Sequence, residues 1–167
     1  IAVMIGSFRE TVRYWVAQTL RADLYIASGG RPARQADFTV SPEVERLVRA
    51  HPDVAAVDLF RRDDTVFEGA PISLATRDFR VLLDHGTLLF KAPADGRAAL
   101  AHAIGADLVV VSEPFATRFG RKVGDVIQLA TPHGPAGFAI AAVYFDYSAD
   151  RGVVVLDRAT FARHFGE

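Results

Sequence analysis

Asp84-His85 and the serines Ser112 and Ser148 are the residues of this 167-residue chain whose types come nearest to a catalytic set. A hydroxyl nucleophile needs a base to take its proton, and the base needs a carboxylate to orient it; the three meet in space rather than in sequence. Asp84, His85 and either serine would make such a set for a hydrolase. Asp84-His85-Gly86 also reads as a joint between two elements, and that simpler reading is preferred. Asp146, Ser148 and Asp150 alternate like ligands of a hard cation, but a calcium loop needs more oxygens and a downstream Glu at fixed spacing. Asp157 does not supply one, and a turn followed by a helix cap accounts for these residues. His51, His85, His102, His133 and His164 are scattered without the spacing that puts two imidazoles on one metal. No G-x-x-x-x-G-K-[ST], G-x-G-x-x-G or G-x-S-x-G motif occurs, and Gly29-Gly30 lacks the strand-to-helix setting of a phosphate loop. No catalytic, cofactor-binding or metal-binding residue is therefore assigned.

Composition narrows the partners. Lys and Arg number 19 against 20 Asp and Glu, a formal charge of −1. No basic field exists to hold a nucleic-acid backbone or an anionic membrane surface. The chain has no cysteine, which excludes disulfides and thiolate chemistry and fits either redox compartment. Half of its residues are hydrophobic, enough for a packed core without staples. No run approaches the roughly 20 apolar residues that cross a bilayer. The apolar start Ile1-Ala2-Val3-Met4-Ile5, with no basic leader region, reads as an artificial boundary or as the tail end of a longer apolar segment.

The elements that must position these residues follow from periodicity. Ile5, Phe8, Val12, Trp15, Val16 and Leu20 recur at three and four, an amphipathic helix. Leu24 to Ser28 is β-prone and stopped by Gly29-Gly30. Ser41-Pro42-Glu43 opens a helix that ends before Pro52. Val54 to Phe60, Thr65 to Phe67 and Ala70 to Thr76 read as a meander, with Arg61-Arg62-Asp63-Asp64 and Glu68-Gly69 as its turns. Phe79 to Leu83 suits strand or helix. Asp95-Gly96 opens a short helix closed at Gly105. Leu108 to Val111 is a strand, Ser112-Glu113-Pro114 caps a short helix closed by Gly120, and Val126 to Leu129 pairs with Phe138 to Phe145. Val153 to Leu156 is a last strand, and Asp157 caps a helix carrying Phe161 and Phe165. Strands alternating with short helices give an α+β fold with a mixed or antiparallel sheet. Phe115, Phe119, Phe138, Tyr144, Phe145 and Tyr147 could line a lipid-accommodating groove, though core packing is preferred.

Three segments together resemble a known family. Met4-Ile5-Gly6-Ser7-Phe8-Arg9 with Trp15 and Leu20-Arg21-Ala22-Asp23-Leu24-Tyr25-Ile26 resembles the exit from the first membrane helix of an FtsX-like ABC permease into its MacB-like periplasmic core domain. Val111-Ser112-Glu113-Pro114-Phe115-Ala116, followed by Phe119-Gly120-Arg121-Lys122-Val123-Gly124-Asp125-Val126-Ile127-Gln128-Leu129, resembles that domain's strand, short helix, turn and strand. Val143-Tyr144-Phe145-Asp146-Tyr147-Ser148 resembles the strand that follows. The resemblance implies a non-catalytic periplasmic domain of an inner-membrane protein, lying between two membrane helices. It implies two lobes: a stalk helix over 1–22, a porter-like lobe over about 23–84, and a second, smaller lobe with the return to the stalk over about 85–167. It also implies an ABC ATPase subunit as partner through the membrane part, an envelope protein or a hydrophobic, peptide or lipid cargo outside, and no cofactor. Isolated, the domain is expected to be a monomer. A stand-alone envelope hydrolase and a soluble sugar- or peptide-binding module are the competing readings.

Overall fold

The computed structural model describes residues 22–27, 40–86, 88–146 and 150–166. The chain divides into two compact units, Ile1–Val57 and Asp58–Glu167. The helix expected over 1–22 lies, up to residue 21, outside the described residues, as do Ser28, Tyr147 and Ser148.

In the first unit, α1 runs Pro42–Ala50 as expected. Ser41 Oγ accepts the Val44 N–H at 3.3 Å, Pro42 fills the first helical position, and Glu43 and Glu45 sit where the helix dipole favours acids. None of its residues is buried. Leu24, Tyr25 and Ile26 form no strand and are exposed. A β-prone triplet becomes a strand only beside another strand, and none pairs with it among the described residues.

The second unit is α+β, built on one curled mixed sheet with short helices. Its elements are β1 Arg61–Phe67, β2 Ala70–Arg77, α2 Phe79–His85, β3 Phe90–Ala92, α3 Gly96–Ala103, β4 Leu108–Ser112, α4 Glu113–Arg118, β5 Val126–Thr131, β6 Gly134–Tyr144, β7 Val153–Asp157 and α5 Arg158–Phe165. The strand order is β1-β2-β7-β4-β6-β3, with β5 on β6. β2–β7 and β4–β6 are parallel pairs, and the sheet takes strands from both sides of residue 84.

The unbroken apolar runs of β4 and β7 sit at the sheet's centre because both faces are covered. Val109, Val111, Val154 and Leu156 meet Ile72, Leu74, Phe138 and Ile140, with Phe115 of α4 and Phe161 of α5 closing that face. Val110, Val153 and Val155 meet Ala75 and Ala142 on the other, under Phe79 and Leu82 of α2 and Leu100 and Ala103 of α3. Phe79, Phe115 and Phe138 are wholly buried, each burial contributing about 2–3 kcal/mol.

Further stretches depart from the sequence reading. Arg61-Arg62-Asp63-Asp64 is no turn but most of β1, paired from Arg61↔Thr76 to Phe67↔Ala70. β1 ends the strand order, and an edge strand keeps its charges in water: Arg61 pairs with Asp63 at 2.7 Å, and Asp64 accepts from Ser73 Oγ. Val54 to Phe60 forms no strand; Asp58 in its middle is held by its side chain, described below, rather than by a backbone partner. Glu68-Gly69 is the turn expected. Phe79 to Leu83 resolves as helix because Asp78 caps it, accepting from Arg80 and Val81 N–H. Gly105, Gly120 and Gly124 take the left-handed conformation at φ of +65°, +60° and +90°, and Asp125 stabilises the Lys122-Val123-Gly124-Asp125 turn by accepting the Lys122 N–H at 2.9 Å.

Candidate functional site

Among the described residues, which do not include Ser148, no triad is assembled. Asp84 and His85 sit exposed in the last turn of α2, while Ser112 is 0% exposed and no hydrogen bond joins it to either. Ser112 Oγ accepts the Val153 N–H at 2.8 Å and the Phe115 N–H at 3.4 Å, so it caps α4 and pins the start of β7. Ser112→Ala should therefore cost about 1–3 kcal/mol in urea unfolding, the loss expected when buried amides lose their acceptor. A variant of unchanged stability would release Ser112 from this structural role.

The remaining candidates scatter. His133 lies in the β5–β6 turn, His51 accepts from the Asp53 N–H, and His102 is exposed on α3. Among the described residues no group of three or more His, Asp or Glu could hold a metal ion. Phe115, Phe138 and Tyr144 are core residues, not a groove. Burial and the neighbouring Asp146 push the Tyr144 hydroxyl above its ordinary pKa, and Tyr144 donates to Asp146 at 3.3 Å.

What the second unit does concentrate is polar tethering at the C-terminal ends of the parallel strands β2 and β7, where Arg77 and Asp157 are register partners. The chain comes into the unit here. Asp58 Oδ2 accepts from Arg77 Nε at 2.5 Å and Oδ1 from the Asp78 N–H at 3.0 Å. The last helix, α5, also begins here. Asp157 is buried and holds α5's cap position, yet its carboxylate caps nothing in its own helix. One oxygen accepts the Phe79 N–H at 3.1 Å and the other the Gly105 N–H at 2.9 Å. The sequence reading, which made Asp157 an ordinary cap, is corrected on this point.

Spacing along α5 extends the grip. Residues 157, 160, 163 and 164 fall on one helical face, and that face holds the loop leading into β4. Thr160 Oγ1 donates to Ala106 O at 2.8 Å, Arg163 donates to Gly105 O at 3.0 Å and to Asp107 at 2.5 Å, and His164 Nε2 lies 2.7 Å from the same Asp107 oxygen. His164 and Arg163 together hold the Asp107 carboxyl below its usual pKa. Because that pKa is depressed, the contact contributes above the ordinary carboxyl range and fades as pH falls through the lowered value. Arg61, at the start of β1, places its guanidinium 5.2 Å from the Phe161 ring centroid. The incoming strand and the outgoing helix thus touch.

The opposite end of β2 and β7 is tied separately. Arg118 donates to Pro71 O at 3.1 Å and to Arg151 O at 3.2 Å, Arg121 pairs with Glu68, and Phe67, Phe115 and Phe119 form a ring cluster with centroids 4.9–5.2 Å apart. None of these groups is arranged for bond making. They fix loops, and sequence patterns miss them because the partners lie tens of residues apart.

No family model matches the chain. Over an alignment of 177 residues it is 28% identical to an uncharacterized ABC transporter permease protein of Mycobacterium tuberculosis, a match that takes in 99% of this chain and 20% of the relative. The chain thus spans about a fifth of the relative's length, and over that stretch it is similar to an ABC transporter permease.

Proposed function

We propose that the chain is the non-catalytic extracytoplasmic domain of an FtsX-like ABC permease, of the MacB-like periplasmic kind, and that it passes motion from an ATP-driven membrane part to a cargo or envelope partner outside. The observation that carries this reading is the joining of the first and last segments of residues 58–167. Asp58 is fastened to Arg77 and Asp78, Asp157 to the amides of Phe79 and Gly105, and Arg61 to Phe161. A unit whose two connections meet at one place suits insertion between two neighbouring membrane helices, and it moves as a body when they move. The match to part of a permease supports the same reading, as does the commitment of Ser112 to backbone amides. The stalk helix belongs to this proposal, as do the ATPase partner and the hydrophobic, peptide or lipid cargo.

The test is topological. The chain contains no cysteine, so His133→Cys in the β5–β6 turn adds one thiol on an exposed tip, and the unsubstituted protein labelled in parallel gives the background. In intact cells expressing the full permease from which this chain comes, a membrane-impermeant maleimide that crosses the outer envelope should label that thiol without lysis. Labelling only after the cytoplasmic membrane is broken would contradict the proposal.

A further inference from the structure

The two faces of the sheet are covered by different means. On one, α4 and α5 bring Phe115, Phe119, Phe161 and Phe165 against the core. On the other, α2 and α3 bring Phe79, Leu82, Leu100 and Ala103 over strand residues that are mostly alanine and valine. Smaller side chains secure this second layer, and helices of seven and eight residues do not hold themselves.

Polar contacts make up the difference. The start of a helix leaves its first amides without partners inside the helix. Asp78 accepts the Arg80 and Val81 N–H at 2.9 and 3.3 Å, capping its own helix α2. The two amides before them are taken from elsewhere: the Asp78 N–H donates to Asp58 Oδ1 at 3.0 Å, and the Phe79 N–H to Asp157 Oδ1 at 3.1 Å. The same Asp157 reaches α3, accepting the Gly105 N–H just beyond it at 2.9 Å. Arg97 of α3 donates to Leu83 O of α2 at 2.6 Å, and Leu82 and Leu100 belong to one apolar cluster.

We infer that α2 and α3 form one latched layer: they lift from the sheet together, and Asp58 and Asp157 set how often. Lifting α2 parts Asp78 and Phe79 from both carboxylates, and lifting the end of α3 parts Gly105 from Asp157, so each fastening supports the other. The Arg61–Phe161 contact and the phenylalanines of α4 and α5 take no part, because they belong to the other face. Asp58 stands just ahead of β1, so the segment leading into the sheet holds one end of the latch. The latch is a property of residues 58–167 and holds whatever role the chain plays.

Native-state hydrogen exchange of the 167-residue chain, followed amide by amide by NMR, reads such local opening directly. The Leu82 N–H, bonded to Asp78 O, and the Gly105 N–H should be protected to the same degree, within about threefold, and less than the amides of Val109 to Val111 at the sheet's centre. Asp58→Ala should lower the protection of both by about tenfold, although Asp58 bonds to Asp78 and not to Gly105. Asp58→Asn keeps an acceptor for the Asp78 N–H and should lower it less. If both amides of the unsubstituted chain exchange only as slowly as those of Val109 to Val111, the layer does not open by itself and the inference is overturned. It is equally overturned if Asp58→Ala speeds exchange at Leu82 and leaves Gly105 as it was, or changes neither.

Discussion

Asp157→Ala is expected to destabilise the protein by about 2–4 kcal/mol, because it strips one buried and one half-buried N–H group of their acceptor at once. The Phe79 N–H begins α2 and the Gly105 N–H lies in the loop before β4, both within 3.1 Å of a carboxylate that is 4% exposed. The buried Phe79 amide has no water to fall back on without opening the sheet's end. For a chain of this length the change lowers the melting temperature by about 10 °C. Asp157→Asn keeps one acceptor oxygen and should cost distinctly less. Urea unfolding of both variants, with the slope unchanged, measures the difference. Equal costs for Asn and Ala would mean that the carboxylate's two acceptor oxygens are not what matters.

Gly152→Ala is the second large effect. At φ +89° a side chain is strained whatever its surroundings, and here a Cβ would also lie 2.9 Å from the Cα and Cβ of Phe115. Phe115 is wholly buried, so the contact is with backbone that cannot swing aside. Strain and overpacking together are expected to cost about 2–5 kcal/mol. Gly69, at φ +77° with open space where its Cβ would stand, separates the two causes. Gly69→Ala should show only the strain, about 1 kcal/mol. If the two alanine variants melt together, close approach to Phe115 is not a constraint.

How far the fold was legible follows from where its information lies. The runs Leu108 to Val111 and Val153 to Leu156, the β5–β6 hairpin, and the caps at Ser41, Asp95 and Ser112 are local patterns, and the structure has them where they were expected. Of β1 only Thr65 to Phe67 is legible as strand, because the four consecutive charges before it look like a turn until the strand is known to be an edge. Val54 to Phe60 was overread because β propensity says nothing about whether a neighbouring strand exists. The tethers are the least legible part. Asp157 finds its partners 78 and 52 residues away, and Asp58 finds its own 19 and 20 residues on. No spacing rule reaches that far, so a sequence reading that searches for nucleophiles and metal ligands passes over the residues that join the unit's two connections.

That joint is the physical basis of the functional proposal: if residues 58–167 transmit motion as one body, the incoming strand and the outgoing helix cannot separate. Spin labels on exposed Arg62→Cys of β1 and Ala159→Cys of α5, introduced into the full-length protein reconstituted with the ATPase that the proposal gives it, measure this distance with and without ATP. The account expects one distance distribution, unchanged through the ATP cycle. A distribution that shifts or splits when ATP is bound would show the two connections moving apart, and would contradict it.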